Sequence, residues 1–134
     1  MRIDKLICSF ALLALAGATN PDPATVDPNN DYDCAVLLKF FHRAMVPDGP
    51  ADLQEETLIM NAWFTAKWAQ DHPQEDPGER EHYLAMVKAI GADAKSYRDQ
   101  LNACSTRANA DPHFGRFVGA FQSTVAKDRQ PPSR

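Results

Sequence analysis

Four histidines are the side chains in this sequence best suited to acid–base or metal chemistry. They are spread along the whole chain, at His42, His72, His82 and His113. Glu79 precedes His82 by three residues, the spacing at which two metal ligands share one helix face in di-iron bundles. Such a site needs a second pair and two further glutamates, and the sequence contains no second pair. We therefore predict no metal site and no bound cofactor.

Three polar side chains remain as candidates for a site assembled by the fold. His42 and Glu56 intrude on the apolar sides of predicted helices, and His82 lies in the first turn of another. A carboxylate among apolar neighbours has a raised pKa and can act as a general acid, whereas one whose head reaches water cannot. The sequence contains no nucleophile elbow, phosphate loop or dinucleotide-binding glycine motif. A non-enzymatic protein is therefore favoured, with a small enzyme built on these residues as the alternative.

The start of the chain has the pattern of a secretory signal peptide. Arg2 and Lys5 precede an apolar run at residues 6–15, and Ala-Gly-Ala at residues 16–18 fits a cleavage site. A helix of that run would be about 15 Å long, half of a bilayer core. We therefore expect cleavage near Ala18, a periplasmic or secreted mature protein, and no membrane span in it.

Cleavage would leave two of the three cysteines, Cys34 and Cys104. An even number of cysteines in a secreted chain predicts a disulfide, with two buried free thiols as the alternative. The bond could lie within one chain or join two copies.

Helical periodicity occurs in four segments, and no segment has the alternation of a strand. The first three are residues 33–46, 53–71 and 77–107, and the fourth follows Asp111. Aspartates at the starts of the last three predict N-caps, at Asp52, Asp76 and Asp111. We predict an all-α fold, a small four-helix bundle stapled by one disulfide.

A straight third helix would carry Cys104 far from Cys34, so an intramolecular disulfide requires crossed or kinked helices. Gly91 is the natural position for a bend. The predicted organisation is a signal peptide at residues 1–18, a flexible tether at 19–30, a helical domain at 31–128 and a disordered tail at 129–134.

The first predicted helix is apolar on nearly every side, because Val36 and Phe40 point away from its main stripe. Such a helix lies at the centre of a core, or else exposes an apolar binding surface at Val36 and Phe40.

Tyr32-Asp33-Cys34 lies just before a predicted apolar helix, and Asn102-Ala103-Cys104-Ser105 lies at the end of a later one. In this arrangement the chain resembles, at the level of architecture, the small acid-activated periplasmic chaperones. In that family one disulfide ties an early helix to a later one, although the cysteines lie closer together in sequence than here. The resemblance covers about a tenth of the mature chain and assigns no functional residue.

Charge and composition narrow the classes of partner. The chain has 134 residues, 14 basic against 18 acidic side chains and 44% hydrophobic residues. This is one domain, with no excess positive charge for nucleic acid and too much apolar content for disorder. We therefore expect an exported protein that binds a partner protein, an unfolded client or an apolar small ligand. A structural envelope subunit that forms a homo-oligomer is the further alternative.

Overall fold

The computed structural model describes residues 26–45, 48–78 and 80–129. These residues are all-helical and contain no strand, which confirms the predicted all-α bundle. The helices are α1 (Asp31–Met45), α2 (Ala51–Asp71), α3 (Glu81–Ala92), α4 (Arg98–Ala110) and α5 (Phe114–Asp128), with a 3₁₀ turn at Ala94–Tyr97. None of these helices is long and apolar enough to cross a membrane. The predicted signal peptide (residues 1–18) and residues 130–134 of the predicted tail lie outside the described residues.

Helix α1 is the centre of the bundle. It contacts α2, α3 and α4, and every residue from Tyr32 to Leu38 is buried. Its apolar residues meet fully buried side chains from the neighbouring helices, among them Phe64, Met86 and Ile90. A helix that is apolar on nearly every side is stable in water only when other helices cover it, and here three do.

The third predicted helix is in fact two helices, so the count of four was wrong. Helix α3 ends at Ala92, and the backbone of Asp93 (φ −152°, ψ 71°) leaves the helical region. The Asp93 carbonyl then accepts hydrogen bonds from the backbone N–H and the hydroxyl of Ser96, at 3.2 and 2.8 Å. The predicted bend is therefore present, but it lies at Asp93, and Gly91 remains helical.

This bend returns α4 to the start of α1 and allows the predicted disulfide to form within the chain. Cys34 and Cys104 are joined with an S–S distance of 2.08 Å and a Cα–Cα distance of 5.7 Å. One turn after Cys104, Arg107 Nη1 donates to Asp31 Oδ1 at 2.6 Å. The Arg107 guanidinium also lies 4.6 Å from the centre of the Phe64 ring. A covalent bond and a charged hydrogen bond thus fix α4 against α1.

Residues 26–30, which the sequence analysis assigned to the tether, contact the helical bundle. Val26 is only 3% exposed and belongs to the core. Asn30 Oδ1 accepts the backbone N–H of Tyr32 at 2.9 Å and caps α1. The backbone N–H of Asp27 donates to Asp33 Oδ2, also at 2.9 Å. Residues 26–30 are therefore part of the helical domain, and only residues 19–25 of the predicted tether lie outside the described residues.

None of the three predicted aspartate N-caps is formed. Helix α5 begins at Phe114 with no side-chain cap, and Asp111 accepts the backbone N–H of His113 in the turn before it. Helix α2 begins directly after Pro50, and no side chain caps it, so Asp52 lies inside the first turn. Asp76 Oδ1 instead accepts the backbone N–H of Gly78 at 2.7 Å within the loop, and α3 begins only at Glu81. A side chain of the capping type can accept a backbone hydrogen bond in a turn as well as at a helix end. This explains why the start of α3 was predicted too early.

Candidate ligand-binding groove

Two adjoining hollows form a groove between α1 and α3, which we call the α1–α3 groove. They share Val36, Lys39 and Tyr83. The outer hollow has a volume of about 320 Å³ and is further lined by Phe40, Arg43, Ala44 and Val87. The inner hollow has a volume of about 140 Å³ and extends to Asn61, Thr65 and Trp68 on α2 and to Pro77 and Gly78 in the following loop.

The residues predicted as a binding surface form the floor of this groove. Val36 is 4% exposed, and Phe40 is half-buried and packed against the core. The Phe40 ring lies beside Gly91, where a Cβ would be 3.8 Å from Phe40 Cε2, an ordinary van der Waals distance. Of the two alternatives for this side of α1, burial therefore applies to Val36. That the floor binds a ligand stays a prediction.

Positive charge lines the groove, although the chain as a whole is acidic. Lys39 and Arg43 lie one turn apart on α1, and no aspartate or glutamate of the described ranges lines either hollow. Lys39 Nζ lies 5.7 Å from the centre of the Tyr83 ring, within the range of a cation–π contact. No ion pair joins Lys39 or Arg43 to a carboxylate in the described part of the chain.

The inner hollow carries polar groups among apolar ones. Asn61 Nδ2 donates to the Ala35 carbonyl at 2.7 Å, and this bond holds α2 against α1. The Tyr32 hydroxyl donates to the Pro77 carbonyl at 2.7 Å. Burial raises the pKa of Tyr32, and the nearby positive charge of Arg80 opposes this only in part. Trp68 is 5% exposed, and its buried indole Nε1 has no acceptor among the described residues.

Beyond the inner hollow, a cluster of rings and charges fixes the loop that joins α2 to α3. The His72 ring stacks on Trp68 with centres 4.7 Å apart. The Arg80 guanidinium lies 5.6 Å from the centre of the Trp68 ring. His82 Nε2 lies 3.5 Å from Oδ1 of the buried Asp33. These contacts pack the loop onto the start of α1 and so complete one end of the groove.

The three polar candidates are not brought together. His42 Nδ1 lies 2.9 Å from the Gln54 carbonyl oxygen and links α1 to α2. Glu56 is exposed on α2. His82 contacts Asp33, about 14 Å of helix rise from His42. The alternative of an enzyme site built from these residues therefore gains no geometric support.

Metal-binding geometry is also not found within residues 26–45, 48–78 and 80–129, where no group of three or more His, Cys, Asp or Glu side chains could hold an ion. Glu79, the suggested partner of His82 in a metal motif, lies outside the described residues.

Sequence reasoning missed the groove residues Lys39 and Thr65. One signal was available for Lys39 and Arg43, since they are two of the few polar residues in an otherwise apolar helix and are spaced to share one face. No local signal indicates that α3 would stand opposite them.

No protein-family model, curated protein or solved structure matches this chain. The likeness to the small acid-activated chaperones thus remains one of architecture alone. The arrangement of the α1–α3 groove is consequently the basis on which a function can be argued.

Proposed function

We propose that this protein is an exported, non-enzymatic binding protein whose α1–α3 groove takes up a small ligand with an apolar body. The observation that carries the proposal is a groove with a floor of Val36 and Phe40 and a wall that includes Val87. The outer hollow, at about 320 Å³, falls within the range of small-ligand pockets. Apolar lining with a few polar groups is also the usual composition of such pockets.

The disulfide supports the exported location, because such bonds form and persist in oxidising compartments. The sequence of residues 1–18 supports it independently, through its basic start, apolar run and cleavage site. We expect the protein recovered from the cell envelope or medium to have the mass of residues 19–134 less two hydrogens. An uncleaved chain with free thiols in the cytosol would overturn the exported location.

Filling the groove tests the binding function. We expect octanol, which has an apolar body and no charge, to bind saturably to the wild-type protein in an NMR titration. Val87→Trp places a large ring in the outer hollow and is expected to weaken octanol binding by about tenfold or more. Leu84→Trp is the matched control, because Leu84 lies on the same helix, is 70% exposed and lines neither hollow.

The control is expected to bind octanol as the wild-type protein does. Equal binding by both tryptophan variants would place the octanol elsewhere on the protein. An absence of saturable binding to the wild-type protein would refute the groove as an apolar site.

A further inference from the structure

We infer that the natural ligand of the α1–α3 groove is a small carboxylate with an apolar body, and that Lys39 binds its carboxylate where the two hollows meet. This inference rests on the proposed function, because it names the class of ligand that the same groove takes. It assigns to Lys39 a role in selecting the charge of the ligand.

The first argument is the sign of the charge around the groove. With 18 acidic and 14 basic residues in the chain, a surface with no selection for charge would carry at least as many acids as bases. Among the described residues, the two hollows instead have Lys39 and Arg43 and no acid. An anion is therefore attracted by both of these side chains on α1, whereas a cation is repelled by them.

The second argument is the position of Lys39. It is half-buried and lines both hollows, whereas Arg43 is exposed and lines only the outer one. The Lys39 ammonium approaches the face of Tyr83, a contact that leaves its N–H groups without a carboxylate acceptor in the described part of the chain. A ligand carboxylate would supply that acceptor through a charge-assisted hydrogen bond.

The third argument is the set of donors on the inner side of Lys39. The Thr65 side chain lines the inner hollow and can donate a hydrogen bond. Trp68 lines it too, but its indole Nε1 is buried and is not reached from the hollow. Lys39 and Thr65 are thus two potential donors around a hollow of about 140 Å³, which is of a size for a polar head group.

The dimensions favour a small molecule over a peptide segment. The floor residue Val36 is 4% exposed, so it can contact only a group that enters the groove. In the resulting arrangement, the carboxylate lies against Lys39 and the apolar body covers Val36, Phe40 and Val87 in the outer hollow.

Three probes of equal chain length separate charge from apolar contact, namely octanoate, octanol and octylamine, titrated at pH 7 into the mature oxidised protein. We expect octanoate to bind about tenfold more tightly than octanol, the effect of one charge-assisted hydrogen bond. Octylamine, which is cationic at this pH, is expected to bind more weakly than octanol.

Lys39→Met keeps the length of the side chain and removes its charge. We expect this variant to bind octanoate no better than octanol, with octanol binding retained. Lys88→Met is the matched control, because Lys88 is exposed on α3 and lines neither hollow, and it is expected to keep the wild-type preference.

Equal binding of octanoate and octanol to the wild-type protein would overturn the inference and leave the proposed function standing. A preference for octanoate that survives in Lys39→Met would also overturn it, since other residues would then recognise the charge of the ligand. Failure of all three probes to saturate would instead refute the proposed function itself.

Discussion

At the scale of single residues, Asp111 joins three parts of the chain. Its Oδ1 accepts the backbone N–H of His113 at 2.9 Å just before α5, and its Oδ2 lies 3.5 Å from Lys67 Nζ on α2. The backbone hydrogen bond is the main cause of a lowered pKa for the Asp111 carboxyl. Desolvation opposes this shift, and Lys67 adds to it.

Because folding lowers the pKa of Asp111, its charge stabilises the folded protein above the unfolded pKa of about 3.9, and this stabilisation is lost as the pH falls through the folded value. Asp111→Asn keeps the local hydrogen bond and removes the charge. We expect the variant to be less stable than the wild-type protein at pH 7 in urea unfolding, with a smaller difference at pH 3.

The control for this prediction is Asp128→Asn, at the exposed end of α5. It is expected to leave the stability at pH 7 nearly unchanged. An Asp111→Asn deficit of the same size at both pH values would mean that its charge is not the cause.

At the scale of the helices, the sequence was informative about faces and poor about ends. The apolar spacing placed Ile90, Tyr97 and Cys104 on one buried face, and all three are buried. That spacing continues across the break at Asp93, because both α3 and α4 pack against α1. Burial patterns therefore could not reveal that the helix is interrupted, and the position of the interruption depends on hydrogen bonds of the folded chain.

The residues of the α1–α3 groove were harder to predict from the sequence than the helix ends were. Val36 and Phe40 could be singled out because their own helix pattern was unusual. Their partners Tyr83 and Thr65 come from other helices, and each has an unremarkable local sequence. Only tertiary packing brings such residues together, so the sequence could not show that they share one site with Val36 and Phe40.

If the bend depends on Asp93, then Gly91 is an ordinary helical residue, and its backbone conformation does not require glycine. Gly91→Ala adds a methyl group at an ordinary distance from Phe40, and alanine favours a helix over glycine. We expect the variant to be more stable by about 0.5 kcal/mol, measured as the free energy of unfolding in urea. A loss of stability would show instead that the bend requires glycine.

At the scale of the whole molecule, the disulfide is the covalent cross-link between distant parts of the described chain. It joins the first turn of α1 to the middle of α4 across a sequence separation of 70 residues. The pairing of these cysteines could be predicted by counting, since the expected cleavage near Ala18 would leave only two. Only the fold shows that a bend allows this pairing, and not a steep crossing of helices or a bond between two chains.

Removing this bond tests how much of the stability it supplies. In the chain-entropy account, a closed loop of this length stabilises the folded state by roughly 4 kcal/mol. We expect Cys34→Ala/Cys104→Ala to lower the free energy of unfolding in urea by about this amount. Wild-type protein is expected to show the same loss when its unfolding in urea is measured in the presence of a reductant. A loss below about 1 kcal/mol would contradict the entropic account.

The burial of that bond also constrains the order in which the molecule is made. Both cysteines are 0% exposed, so an oxidising enzyme has no access to their sulfurs in the finished domain. The neighbouring helices α1 and α2 can associate early, because their contacts are local, whereas α4 must arrive from a distance along the chain. Oxidation therefore belongs to the interval after α4 has met α1 and before the core closes over the sulfurs. A reductase meets the same barrier in reverse, so the bond, once made, lasts until the domain opens.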